Sequence, residues 1–124
     1  MRTTALSAVA FSFACALAFA EDWKGILVDS KCYGAEERNV NPTDTLTSVD
    51  RDRNQEIRYC SPNAKTKTFA IILPDGRDLR LDSGGDAKAA DLVRKIGKRS
   101  MLEVSITGGV NGRKLRVDSI SPAR

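Results

Sequence analysis

Thr68 to Gly97 reads TFAIILPDGRDLRLDSGGDAKAADLVRKIG, and the fold class follows from how its hydrophobic period changes along this stretch. Thr68–Leu73 is a short β-branched apolar run, and Arg77–Asp82 alternates apolar with charged residues. Between them Pro74-Asp75-Gly76 supplies a tight turn, so the two runs predict a β-hairpin. Ser83-Gly84-Gly85 then reads as loop. Beyond it the period shifts from two to 3.6: Ala89, Leu92, Val93 and Ile96 fall at i, i+3, i+4 and i+7 and form one apolar stripe. Asp86 is the expected helix cap, Arg94 and Lys95 suit the last turn, and Gly97 ends it.

Working outward, alternation returns on the C-terminal side. Leu102, Val104 and Ile106 share one face of a strand over Met101–Thr107, with Glu103 and Ser105 on the other. Gly108–Gly112 turns the chain, and Leu115 and Val117 point inward from a last strand over Arg113–Ser119. On the N-terminal side Trp23–Asp29 (WKGILVD) reads as a strand, with Gly25 marking a bend or bulge. Residues 30–65 are polar, carry both charges in equal number and contain the turn signals Asn41-Pro42 and Ser61-Pro62-Asn63. They are expected to form a long loop, with a short helix from Ser48 to about Tyr59.

The resulting order, β-β-β-α-β-β, predicts an all-β fold with one helix, a small five-stranded OB-fold-like barrel. An open α+β sandwich is the alternative, because element order does not prove closure.

Residues 1–20 read as a signal peptide. Arg2 supplies the positive start, Leu6–Phe19 is almost unbroken apolar sequence, and Ala18-Phe19-Ala20 gives a small-x-small cleavage pattern. The expectation is a mature domain over 21–124, exported to the periplasm or beyond the cell, with no transmembrane segment after processing. Ser12 sits where a lipidation signal needs an aliphatic residue, so Cys15 is expected to leave with the leader. That turns three cysteines into two, and in an oxidising compartment Cys32 and Cys60 are expected to pair and pin the loop of residues 30–65.

The opening WKGILVDSKC (Trp23–Cys32) resembles that of small exported bacterial proteins of unknown function that begin W-x-G-x-[IL]-x-D-S-x-C. These continue through further cysteines to a hairpin and end in a glycine-turned strand pair. Tyr59-Cys60 ahead of the hairpin fits that layout, as does the pair of strands over 101–120. Such proteins often carry an additional cysteine near the second position, which this chain lacks, so one bridge is possible here. The resemblance implies no activity. By architecture alone the chain is also similar to periplasmic single-domain OB-fold stress proteins of bacteria.

Composition argues against most catalysis. The chain has no histidine, which removes the commonest general base and a preferred zinc or copper ligand. No G-x-S-x-G, S-x-x-K, C-x-x-C or phosphate-loop motif is present. Asp50-Arg51-Asp52 imitates the start of a calcium loop, but Gln55 replaces its turn glycine and Ser61 its bidentate glutamate. No enzyme, cofactor or metal is therefore expected.

Formal charge is +4 over 124 residues, with most of the excess C-terminal, which is compatible with an anionic partner. Arg77, Arg80, Lys114 and Arg116 are candidates for a basic patch, against the simpler expectation that they pair with Asp78, Asp82 and Asp118. Trp23, Tyr33 and Tyr59 are candidate ligand contacts, against packing beside the disulfide. No nucleic-acid partner is expected, because the hairpin offers only Phe69 for stacking. The leading expectation is a non-catalytic exported module, binding a small anionic ligand or an envelope protein through the face bordered by residues 33–59. A small periplasmic hydrolase or redox accessory, and a structural envelope protein, are the alternatives.

Overall fold

The structure, a computed structural model, describes residues 20–38, 46–97 and 99–123. The leader expected at residues 1–20 lies outside them save for Ala20, as does Cys15. Eight elements follow in order: β1 (Glu21–Asp29), α1 (Ser30–Arg38), α2 (Leu46–Tyr59), β2 (Phe69–Ile72), β3 (Asp78–Leu81), α3 (Ser83–Ile96), β4 (Glu103–Asn111) and β5 (Lys114–Pro122). All five expected strands are present. The one-helix fold class is corrected, because there are three helices among the described residues: the short helix expected within residues 30–65 forms as α2, and α1 occupies residues read as loop. None is long and apolar enough to cross a membrane.

The strands form one mixed sheet in the order β1-β2-β3-β5-β4, and β4 returns to pair with β1. Every pairing is antiparallel except β3 with β5, where Arg80 faces Lys114 and Leu81 faces Leu115. Inside the ring lies the main core. Leu27, Phe69, Ile71, Leu79, Leu81, Val104, Ile106, Leu115 and Val117 fill it from the strands, and Ala89 and Val93 of α3 close it from one end.

β2 is buried on both faces, which explains its uninterrupted FAII run. Phe69 and Ile71 point into the main core. Ala70 and Ile72 point outward and, with Val28, join Tyr33, Ile57 and Cys60 in a second apolar cluster. That cluster is the reason α1 and α2 exist: each has weak amphipathicity and is ordered by what it covers, as short helices generally are. The expected Cys32–Cys60 disulfide is formed at its centre, with Cα atoms 5.5 Å apart, inside the usual range. α2 ends at Tyr59 as expected but begins at Leu46, so Ser48 lies within the helix rather than ahead of it.

Glycine sets the sheet's geometry at two places. β1 pairs with β4 over Glu21–Ile26 and with β2 over Ile26–Asp29. At the changeover, a Cβ on Gly25 would stand 2.7 Å from the Ile72 carbonyl oxygen, so a glycine is needed where the β2 backbone approaches β1 this closely. Between β4 and β5, Thr107 faces Ser119 while Gly108 faces Val117, so β5 carries one extra residue, Asp118. This bulge shifts the inward phase from Leu115 and Val117 to Ile120, which packs against the core. Residues 108–111, expected as turn, therefore continue β4.

α3 also starts earlier than expected. Asp82, not Asp86, is its cap: the Asp82 Oδ1 accepts from the Gly85 N–H at 2.8 Å. Gly84 and Gly85 lie inside the helix, and Gly85 is needed there because a Cβ would meet Val117 Cγ2 at 2.5 Å. Asp86 instead accepts from the Phe69 N–H at 2.9 Å, satisfying the first amide of β2.

Burial pushes the Asp86 carboxyl above its ordinary 3.8, outweighing the Phe69 hydrogen bond and the charges of Arg80 and Lys114; Asp82 adds to the rise. In the pH window between the unfolded and the folded value, the folded chain holds a proton there that the unfolded chain has released. This stabilisation is complete below the unfolded value and is lost as pH rises through the folded one. Asp86→Asn keeps an acceptor for Phe69 and removes the buried charge, so at neutral pH it is expected to melt at or above the wild-type temperature, with an advantage that shrinks as pH falls through the acid range. Asp86→Ala strands the amide and is expected to cost about 1–3 kcal/mol. Thermal melts across the acid range distinguish the two.

Candidate functional site

The D-S-x-C segment is built for position. Asp29 ends β1 and caps α1: its Oδ1 accepts from the N–H groups of Lys31 and Cys32 at 3.0 and 3.1 Å. Its Oδ2 accepts from the buried Thr66 hydroxyl at 3.1 Å. Ser30 donates through its backbone N–H to the Thr68 carbonyl, and through its hydroxyl to Thr68 Oγ1 at 2.8 Å. The start of α1 is thereby fastened to residues 66–68.

Residues 63–68 are stiffened from within. Asn63 Oδ1 accepts from the Lys65 N–H at 2.7 Å, and the Asn63 N–H donates to Thr66 Oγ1 at 3.0 Å. Thr66 points in, so Lys65 and Lys67 on either side point out. Arg80 projects from β3 between the buried Leu79 and Leu81, while its N–H donates to the Arg113 carbonyl at 2.9 Å. Arg113, in the turn between β4 and β5, bridges to Asp78 at 2.6 Å.

These segments surround a solvent-open groove of about 1050 Å³ over the β2–β3 face. Among the described residues, Lys31, Lys65, Lys67, Arg80 and Arg113 line it together with two carboxylates, Asp29 and Asp78; Ser30, Thr68 and Tyr33 complete the polar wall. Both carboxylates already accept bonds from protein donors, so the groove's unbalanced charge is positive. Cations with hydroxyls beside them are groups that can form charge-assisted hydrogen bonds to an anion.

Of the candidates named from the sequence, the groove brings together Tyr33 and Arg80, and Lys114 stands opposite Arg80 on β5. Tyr33 packs beside Cys60 in the second cluster and is only 2% exposed. The others lie elsewhere. Trp23 packs on the main core rather than the disulfide, and its Nε1–H donates to the Gly108 carbonyl at 3.2 Å. Tyr59 is 74% exposed at the end of α2. Arg77 pairs with Asp75 at 2.9 Å, and Arg116 with Asp118 at 3.4 Å. Of the four cations named as one candidate patch, Arg80 alone lines the groove, and among the described residues the segment 33–59 contributes Tyr33 and Gly34 to it.

Lys31, Lys65, Lys67 and Arg113 were not singled out by sequence. The signal for Lys31 was available: an aspartate directly before Ser30 is a helix-cap pattern. Lys65 and Lys67 flanking a threonine carry no such signature.

Among the described residues, no group of three or more cysteines, aspartates and glutamates is placed to hold a metal ion. No protein-family model, curated protein or solved structure matches this chain.

Proposed function

We propose that the protein is an exported, non-catalytic, OB-like barrel module that binds an anionic ligand in the groove over β2 and β3. The supporting observation is the convergence of five cationic side chains from four separate segments on that one face. In OB-fold barrels this face, between the connection after strand one and the turn between strands four and five, is where extended ligands bind. Here that connection is residues 30–68 and that turn holds Arg113. The disulfide and the leader-like residues 1–20 support export, and the resemblance of the Trp23–Cys32 opening to exported bacterial proteins agrees with it.

Calorimetric titration with sucrose octasulfate, a compact polyanion, tests the reading. Binding is expected to weaken as salt rises. Lys31→Glu with Arg80→Glu is expected to lower affinity about tenfold or more, equivalent to about 1.4 kcal/mol. Arg77→Glu, outside the groove, is expected to leave affinity within a factor of about three of wild type, under 1 kcal/mol on the same scale. Equal losses in both variants would mean that net charge, not this groove, does the binding.

A further inference from the structure

A second groove of about 780 Å³ lies on the other side of residues 64–67, bounded by α3. It shares Lys65 and Lys67 with the first groove, and Thr66 between them lines the second groove alone. The wall between the two is therefore a ridge two lysines wide, held rigid by the buried Thr66 hydroxyl on Asp29. A compact anion in the first groove meets one side of the ridge only. A chain crossing the ridge engages both lysines and reaches both grooves at once.

The linings differ in a way that selects the chain. The second groove offers the small apolar surface of Ala64, Ala87 and Ala90, with Ser83, Asp86 and Arg94 around it. Such a surface accepts the C–H face of a sugar ring, with hydroxyl, acid and cation at the ring's edges. Carboxylates recur along the path, at Asp78 and Asp29 in the first groove and Asp86 in the second. Each can accept a hydrogen bond from a sugar hydroxyl, a donor that a phosphodiester linkage does not offer. Neither groove has an exposed aromatic side chain among its lining residues, Tyr33 being 2% exposed. A nucleic acid strand would find no stacking platform there.

We infer that the ligand is a linear acidic polysaccharide that crosses the Lys65–Lys67 ridge and occupies both grooves. This rests on the first groove being the anion site proposed above.

The test uses the purified protein and heparin-derived oligosaccharides of increasing length. Affinity is expected to rise by more than about tenfold from tetrasaccharide to dodecasaccharide, beyond the linear statistical gain of a longer lattice, because the second groove is engaged intramolecularly. Ala87→Glu changes an exposed helix position in the second groove. It is expected to abolish that gain and leave tetrasaccharide affinity unchanged; Arg94→Glu should act in the same direction. Tetrasaccharide binding with no gain in length, or a gain that Ala87→Glu and Arg94→Glu both leave intact, overturns the inference and leaves the anion site standing. Binding of no oligosaccharide of any length, nor of sucrose octasulfate, overturns both. A single-stranded oligonucleotide of matched charge that binds more tightly than the dodecasaccharide replaces the polysaccharide with nucleic acid and overturns the inference.

Discussion

Gly108→Ala is expected to be the most damaging single substitution in the sheet. A Cβ at this position would lie in direct overlap with the Arg116 carbonyl oxygen and 2.9 Å from its carbon. Both are backbone atoms, so no side-chain rotation relieves the overlap. Relief requires the β4–β5 pair to separate at the bulge, which also disturbs the Trp23 hydrogen bond to the Gly108 carbonyl. A loss of about 3 kcal/mol or more is expected, a melting temperature lower by roughly 10–20 °C for a domain of this size. Gly84→Ala is the matched control. Nothing lies within 4 Å of the Cβ it would add, inside α3. There the same change should stabilise by about 0.4–1 kcal/mol through the unfolded chain. Parallel urea titrations read both signs, and similar small losses at both sites would contradict the assigned bulge.

Removing the disulfide is expected to cost about as much, by a different route. Cys32 and Cys60 are 28 residues apart, and closing a loop of that size restrains the unfolded chain by about 3–4 kcal/mol. Cys32→Ala with Cys60→Ala also removes Cys60, 1% exposed, from the second cluster. What melts first should be local. α1 and α2 are held by that cluster, whereas the main core contains neither cysteine. Amide exchange in the double variant is expected to quicken over residues 30–38 and 46–60 before it does in β4 or β5. Because α1 carries Lys31, anion affinity should fall with it. Uniform acceleration throughout the chain would show that the two clusters are one cooperative unit.

The sheet was legible in the sequence because its inward residues alternate and its turns use residues with a mechanical reason to be there. Gly76, at φ +96°, closes the hairpin turn through its N–H to the Leu73 carbonyl at 2.8 Å. The limits were equally physical. Gly84-Gly85 reads as a breaker, and only the nearness of Val117 shows why a helix has glycine there. The bulge at Asp118 moves the inward phase by one residue and leaves no local mark, so alternation alone ends β5 before Ile120.

Over residues 30–59 the larger difference is α1, which has no counterpart in the sequence reading, whereas α2 was legible from Ser48 to Tyr59. Their own periodicity is poor, and the information for them lies in their partners: a strand apolar on both faces, FAII, needs a cover. Residues 26 and 28 of β1, both apolar and both on the outward face, carry the same message. The groove was least legible of all. Lys31, Lys65, Arg80 and Arg113 belong to four segments, and nothing short of the closed pairing order puts them on one wall.

The most direct measurement is the map of backbone amide shifts as the labelled protein is titrated with sucrose octasulfate. Saturable shifts are expected at residues 29–34, 65–68, 80 and 113, with Trp23, Arg77 and Arg116 unmoved. Shifts centred instead on Gly108 and Arg116, or none that saturate, would contradict the assignment of the groove as the binding site.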